Sequence, residues 1–449
     1  MKHAGFAITL AITLALAAPA AAQKIKEIDV VENTKTRDET VIFIAGIEKG
    51  DTWNVDMVDE IQTKLVSSGL FKKVEVFSTP VPGGVCVTLR AEDKHSWIVA
   101  PTAYNQPTNK GGGVGFGENN LFGENKKLLL YGQVATGDSF FIGAYVDPSI
   151  ANTRFEWQYD LFLRRERVYE YAPPQDYIEK EDPQRIRQSK MNYLNTGARV
   201  GVTLFDTLNL SLRLRGAYVF YDDVELSPGA TPADVGVAEG DPIPAPGAEG
   251  WDVSGEALLE YDNTANWYGV TSGDIYKLTF EHAMPGLGSE FEYWYGTARF
   301  TRARKYFSRH NLVLKGFGAY GTDMPFQQEF TSGGVDLRGF KNRQFRGNLR
   351  IAGTAEYSVP LFTIKGVSFR TLAFWDTTYT AFLKTAENDT RNYLPGHEKR
   401  GLAPFKNTVG VGTRLYIRQI VLPLLGLDIG YGLERNAYEI YFAIGLTGF

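Results

Sequence analysis

The 449-residue chain has a single cysteine, Cys86, so no disulfide can form within it. It has only five histidines, His3, His95, His282, His310 and His397, and none pairs with another at metal-ligand spacing. No G-x-S-x-G elbow is present, so the usual serine-hydrolase signature is missing. Gly111-Gly112-Gly113-Val114-Gly115-Phe116-Gly117 resembles a phosphate loop, but Glu118 stands where the third glycine is needed and the segment alternates like a strand. These gaps lead to the expectation of no enzyme activity, no cofactor and no metal. An excess of one charge is lacking as well. The 47 Lys and Arg stand against 52 Asp and Glu, a net charge of −5, which gives no reason to expect nucleic acid as a partner. Beyond the N-terminus no stretch reaches the roughly 18 apolar residues of a membrane-spanning helix.

Aromatic residues and glycine are abundant, with 28 Phe, 24 Tyr, 7 Trp and 47 Gly. That balance suits a mainly β protein. The first 22 residues read as an export signal: Lys2 supplies the positive start, an apolar run follows, and Ala20-Ala21-Ala22 offers the small-residue cleavage site. The mature chain is expected to start at Gln23.

Residues 23–96 read as a small α+β unit. Ile25, Ile28 and Val30 mark a first strand, and Arg37–Ala45 a short helix ended by Gly46. Asn54 reads as an N-cap before the helical stripe Val55, Val58, Ile61 and Leu65, with Gly69 as the stop. Val74 and Val76, then Val85, Val87 and Leu89, alternate in two strands around a Pro-Gly turn. This order, with the phrase Gly69-Leu70-Phe71-Lys72-Lys73-Val74, resembles a polypeptide-transport-associated (POTRA) module, and the chain has room for one.

Residues 97–449 alternate with a period of two. In Arg154–Leu163, Phe155, Trp157, Tyr159 and Leu161 oppose Glu156, Gln158 and Asp160; in Asn209–Phe220, Leu210, Leu212 and Leu214 oppose Ser211, Arg213 and Arg215. In Val367–Ala381, Leu372 and Phe374 break the polar side. Runs of about 10–12 residues are long for a soluble sandwich and right for a tilted membrane strand. The segment therefore predicts a transmembrane β-barrel of sixteen antiparallel strands. The proline-rich, acidic stretch Leu226–Gly250 reads as a solvated loop, since its acids lack the spacing of a calcium loop.

Between the eleventh and twelfth runs stands Gly333-Gly334-Val335-Asp336-Leu337-Arg338-Gly339-Phe340. With Gly115-Phe116-Gly117-Glu118-Asn119-Asn120-Leu121-Phe122-Gly123, Glu356-Tyr357-Ser358-Val359-Pro360-Leu361 and Phe374-Trp375-Asp376, it resembles the BamA/TamA family of outer-membrane assembly proteins. The resemblance implies that Leu337, Arg338, Gly339 and Phe340 form a loop inserted in the barrel lumen. A guanidinium there is partly desolvated and needs a carboxylate. Glu356 and Asp376 face the lumen by alternation, so an ion pair of Arg338 with one or both is expected, and Gly339 permits a tight turn.

The barrel must close between its first and last strands. Pro101 in the first cannot donate a ladder hydrogen bond, and Gly445 and Gly448 weaken the last. Either Pro101 occupies a non-bonded position in an ordinary seam, or the seam is weak and its edges can template another strand. Phe449 reads as a C-terminal signal, in phase with the apolar face only if Gly448 forms a bulge. The resemblance implies insertion, assembly or translocation of polypeptides at a Gram-negative type outer membrane, with the POTRA unit in the periplasm. It implies outer-membrane lipids, unfolded outer-membrane or secreted polypeptides, and periplasmic or lipoprotein accessories as partners. The alternative is a passive channel for small solutes.

Overall fold

The computed structural model describes residues 23–172, 183–205, 207–267, 269–307, 309–364, 366–383, 390–397, 405–417 and 424–444. The export segment 1–22 and the seam and terminal residues Gly445, Gly448 and Phe449 lie outside the described residues. The chain divides into two units, one of residues up to Ser96 with Phe122–Asn125, the other beginning at Trp97.

The first unit runs β1 (Gln23–Val31), α1 (Asp38–Ala45), β2 (Thr52–Trp53), α2 (Met57–Ser67), β3 (Phe71–Val81) and β4 (Gly84–Asp93). Its sheet order is β2-β1-β4-β3, with β1 and β4 parallel. The alternating apolar residues of β1 and β4 meet the helical stripe in one core of Ile25, Val41, Ile61, Leu65, Val85, Val87 and Leu89. Gly69 takes a left-handed φ of 73°, and Leu70, Phe71 and Val74 after it are buried in that core. Helix α2 starts two residues later than the sequence suggests. The Asn54 side chain accepts from the Asp56 amide, and its carbonyl from the Met57 amide, so Asn54 closes a turn ahead of the helix. The two-residue β2 was not foreseen.

The second unit begins with β5 (Trp97–Gln106), β6 (Asn109–Leu121), β7 (Lys126–Ala135), β8 (Asp138–Asp147), β9 (Phe155–Tyr171), β10 (Arg185–Phe205) and β11 (Leu208–Leu226). There follow β12 (Gly250–Asp262), β13 (Ala265–Trp267), β14 (Val270–Ala283), β15 (Trp294–Tyr306) and β16 (His310–Thr322). A small hairpin, β17 (Phe330–Ser332) and β18 (Phe345–Gly347), precedes β19 (Leu349–Ile364), β20 (Val367–Ala381), β21 (Lys406–Ile417), β22 (Leu425–Gly432) and β23 (Ala437–Ile444). Apart from the hairpin, these strands pair antiparallel with their neighbours, and β23 returns to β5 to close a barrel. β12 and β13 both pair with β14 and count as one interrupted strand, so the barrel has sixteen.

The period of two sorts side chains between membrane and lumen. On β11, Leu212 is 58% exposed on the outer surface, while Arg215 is 3% exposed inside. Phe155, Trp157, Phe300 and Trp375 are likewise exposed outside. Leu372 and Phe374, which interrupt the polar face of β20, point inward and are buried at 7% and 5% exposure. The connections alternate between ends: those on the side where β5 begins are short, and the long ones lie at the opposite end.

The stretch between β11 and β12 is less solvated than its composition suggests. Val235 packs with Ile186 and Leu394, and Asp234 accepts from the Thr231 amide and hydroxyl. Prolines lack the amide that would use up neighbouring carbonyls in regular structure. Here the carbonyls of Pro244 and Pro246 accept instead from Arg187 and Arg391.

Candidate functional site

The connection 323–348 between β16 and β19 turns into the barrel. Ser332 on β17 exchanges hydrogen bonds with Thr378 (3.1 Å) and Thr380 (2.7 Å) on β20, which ties the hairpin to the wall. Gly333 and Gly334 take φ of 118° and 80° and reverse the chain. Beyond them Leu337, Phe340 and Phe345 form a small buried cluster, the two rings edge to face at 5.6 Å.

This cluster holds Arg338 against three strands. Its Nε and Nη2 donate to the two oxygens of Asp376 on β20, each at 2.8 Å, a bidentate fork. Its Nη1 donates to Glu356 on β19 (2.9 Å) and to Asp428 on β22 (3.0 Å). Thr354 donates to Asp376 as well. Arg414 provides a second cation, its Nη2 2.8 Å from Asp428, and Lys315 stands 3.6 Å from Glu356. Three cations thus meet three carboxylates, which offsets the cost of taking them from water. Burial works against the Arg338 charge. The hydrogen bonds to Asp376, Glu356 and Asp428 and their negative charges offset that cost.

Backbone geometry completes the clamp. Gly339 has φ 105°, and a methyl group there would come within 2.6 Å of the Gly432 nitrogen. On the facing strand, a methyl at Gly430 would meet the Arg338 carbonyl carbon at 2.7 Å. Glycine on both sides lets two backbones approach where side chains would hold them apart. The Gly339 amide donates to the Tyr441 hydroxyl on β23, which donates to the Phe340 carbonyl, both at 3.0 Å, and Arg435 donates to the Gly339 carbonyl.

The structure therefore brings together Leu337, Arg338, Gly339, Phe340, Glu356 and Asp376. Pro101 lies apart, exposed on the outer face of β5 opposite Val114 of β6. Sequence reasoning missed Asp428, Arg414, Phe374, Gly430, Gly432 and Tyr441. A signal existed for Asp428: in Leu425–Gly432 the inward positions read Gly426, Asp428, Gly430, Gly432, a lone acid among glycines.

Sixteen antiparallel strands closed on themselves, apolar outside and polar inside, with a loop clamped in the lumen, define a transmembrane β-barrel of the outer-membrane type. Residues 120–447 match the Omp85 superfamily domain, and the chain belongs to that superfamily. No curated protein matches it in sequence. Its fold is similar to that of BamA from Haemophilus ducreyi lacking POTRA domains 1–3, with TM-score 0.64 and 14% identity over 94% of this chain and 84% of that one. It is also similar to CdiB from Acinetobacter baumannii (TM-score 0.57, 15% identity, 95% and 74% covered) and CdiB from Escherichia coli (0.54, 12%, 98% and 93%).

Proposed function

We propose that this barrel inserts polypeptides into the outer membrane or translocates them across it, without nucleotide energy, with its N-terminal unit acting as a periplasmic POTRA module. The observation that carries this reading is the loop held in the lumen by Arg338 through Asp376, Glu356 and Asp428. A steadily conducting channel needs an open bore, whereas here a side-chain lattice fixes a plug inside it. The far end adds to the obstruction. Arg391 bridges Glu329 (2.6 Å) and Glu170 (3.1 Å), Arg187 joins Glu170 (2.6 Å), and all four side chains are buried.

The closure also supports polypeptide handling. Among the described residues β23 pairs with β5 over three positions, Phe442–Asn105, Ala443–Tyr104 and Ile444–Ala103, against seventeen pairs between β10 and β11. If this junction parts, its two edges could pair with an incoming strand. Pro101, two residues from the paired stretch, removes one donor from β5. Outer-membrane lipids surround the site, unfolded polypeptides are its clients, and periplasmic or lipoprotein accessories would deliver them.

The test is assisted insertion in proteoliposomes. An unfolded barrel client is added to vesicles with wild type, Arg338→Ala, or no protein, and protease-protected folded client is followed in time. Acceleration by wild type alone supports the reading. No acceleration together with steady single-channel conductance would establish a passive solute channel instead.

A further inference from the structure

The lumen wall formed by β15, β16 and β19 borders a cavity of about 370 Å3 beside the Arg338 clamp. Each strand sends one cation to it, Arg299, Lys315 and Arg350, and of these only Lys315 also belongs to the clamp. Arg299 lies directly across from Phe317, and Arg350 across from Ala319, so Phe317 stands within a triangle of three positive side chains. Both guanidiniums rest on its ring, 5.4 and 5.0 Å from the centroid. Arg350 also donates from Nη2 to Asp336, whereas the N–H groups of Arg299 meet no protein acceptor among the described residues.

The acids at this cavity do not balance its cations. Glu356 is already bonded by Arg338, and Lys315 reaches it only at 3.6 Å. Asp336 meets Arg350 at 3.1 Å, but its side chain is half exposed. Arg299 has no ion pair or hydrogen bond among the described residues, only the Phe317 ring. An exposed guanidinium fixed on an aromatic face, beside two more cations, is a receptor for anionic groups.

We propose that this cavity binds the carboxylates of an extended acidic polypeptide segment, a proposal that rests on the polypeptide-handling reading above. Spacing favours a chain over a small anion. With strands ~4.8 Å apart and ~3.3 Å per residue, the Cα atoms of Lys315 and Arg299 are about 8 Å apart, and those of Lys315 and Arg350 about 14 Å. Same-side residues of an extended chain recur every ~6.7 Å, so acids at alternate positions can reach successive cations. One phosphate or acetate would engage one or two of the three.

Full-length protein in detergent micelles is titrated with a fluorescein-labelled peptide carrying Glu at alternate positions, and with the same peptide carrying Gln. The Glu peptide is expected to bind at least about tenfold more tightly, less so as salt is raised. Arg299→Gln is expected to weaken it about tenfold, and Arg299→Lys to keep part of the affinity. Folding of each variant is checked by heat-dependent gel migration. Equal binding of both peptides, or no change in Arg299→Gln, overturns the proposal. Displacement of the peptide by inorganic phosphate at similar concentrations overturns it in favour of a small-anion site. Wild type that accelerates client insertion yet fails to distinguish the peptides removes this inference and leaves the insertion reading standing. Wild type that binds the Glu peptide but inserts nothing does the reverse.

Discussion

The guanidinium of Arg338 lies 3.3 Å from the centroid of the Phe374 ring, while Asp376, two residues further along the same strand, takes its bidentate fork. One stretch of β20 thus offers a flat apolar surface beneath the cation and a carboxylate at its edge. Such a site fixes the plane of the guanidinium as well as its position, and an ammonium group cannot fill it equivalently.

Arg338→Ala strands the buried side chain of Asp376, while Asp428 keeps Arg414 and Glu356 keeps Lys315. Removing one partner of such a cluster costs about 3–5 kcal/mol. The barrel is expected to form, but the 323–348 connection should leave the lumen and become cleavable by protease added to folded protein. Arg338→Lys should be intermediate, since it keeps the charge and loses the fork.

Gly339→Ala places a methyl group in a left-handed backbone position and against Gly432. Strain of this kind costs about 1–3 kcal/mol. Loop protection in the same proteolysis assay should fall although every charge is unchanged; equal protection would show that the two backbones can separate freely.

Phe374→Leu keeps an apolar side chain and removes the ring under Arg338. The loss is expected to be about 1–2 kcal/mol, the range of a desolvated cation–π contact, and smaller than that of Arg338→Ala. Melting of the two variants side by side checks the order.

Asp93 gives the first unit a pH signature. Partial burial alone would push its pKa up, but the Thr36 hydroxyl and the amides of Lys35, Thr36 and Thr34 donate to its carboxylate and bring it below the ordinary value. A lowered folded-state pKa contributes stability that is complete above the unfolded value, about 4, and is lost as pH falls through the folded one. Protection of the amides at residues 34–36, taken relative to their intrinsic exchange at each pH, should therefore hold at neutral pH and fall below about pH 4. Asp93→Asn should flatten that fall.

Cys86 should resist alkylation in the folded protein. Burial raises its thiol pKa first, and the hydrogen bond to Asp29 with that side chain's negative charge raises it further. Iodoacetamide at pH 8 is expected to modify it only after denaturation. Asp29→Asn should increase the native rate modestly, because burial persists.

Much of this architecture was legible because alternation over long runs has few physical solutions. Phe155, Leu212 and Trp375 had to face one medium, and Glu156, Arg215 and Asp376 another. The place of the Arg338 connection between the eleventh and twelfth strands followed from counting such runs. Phe374 was visible as a break in the pattern without its cause, since only the folded loop puts a cation over that ring. Asp428 lies ninety residues from Arg338 in sequence, and no local spacing links them. Arg391 and Glu170 are further apart still, and their meeting depends on how the long connections fold over one end. Periodicity reports which side of a wall a residue occupies, but not which residue of another strand it meets there.

The Tyr441 hydroxyl grips the loop backbone at Gly339 and Phe340 from the closing strand β23. On the other side of the junction, Thr102 and Tyr104 of β5 bond to Tyr131 and Gln133 of β7. The two lips of the junction are therefore anchored to different bodies, one to the plug and the other to the neighbouring wall. A force that displaces the plug pulls directly on β23 through Tyr441, and on β9 further round the wall through Arg343 and Glu166. In mechanical terms the loop is a lever fastened to one leaf of a hinge.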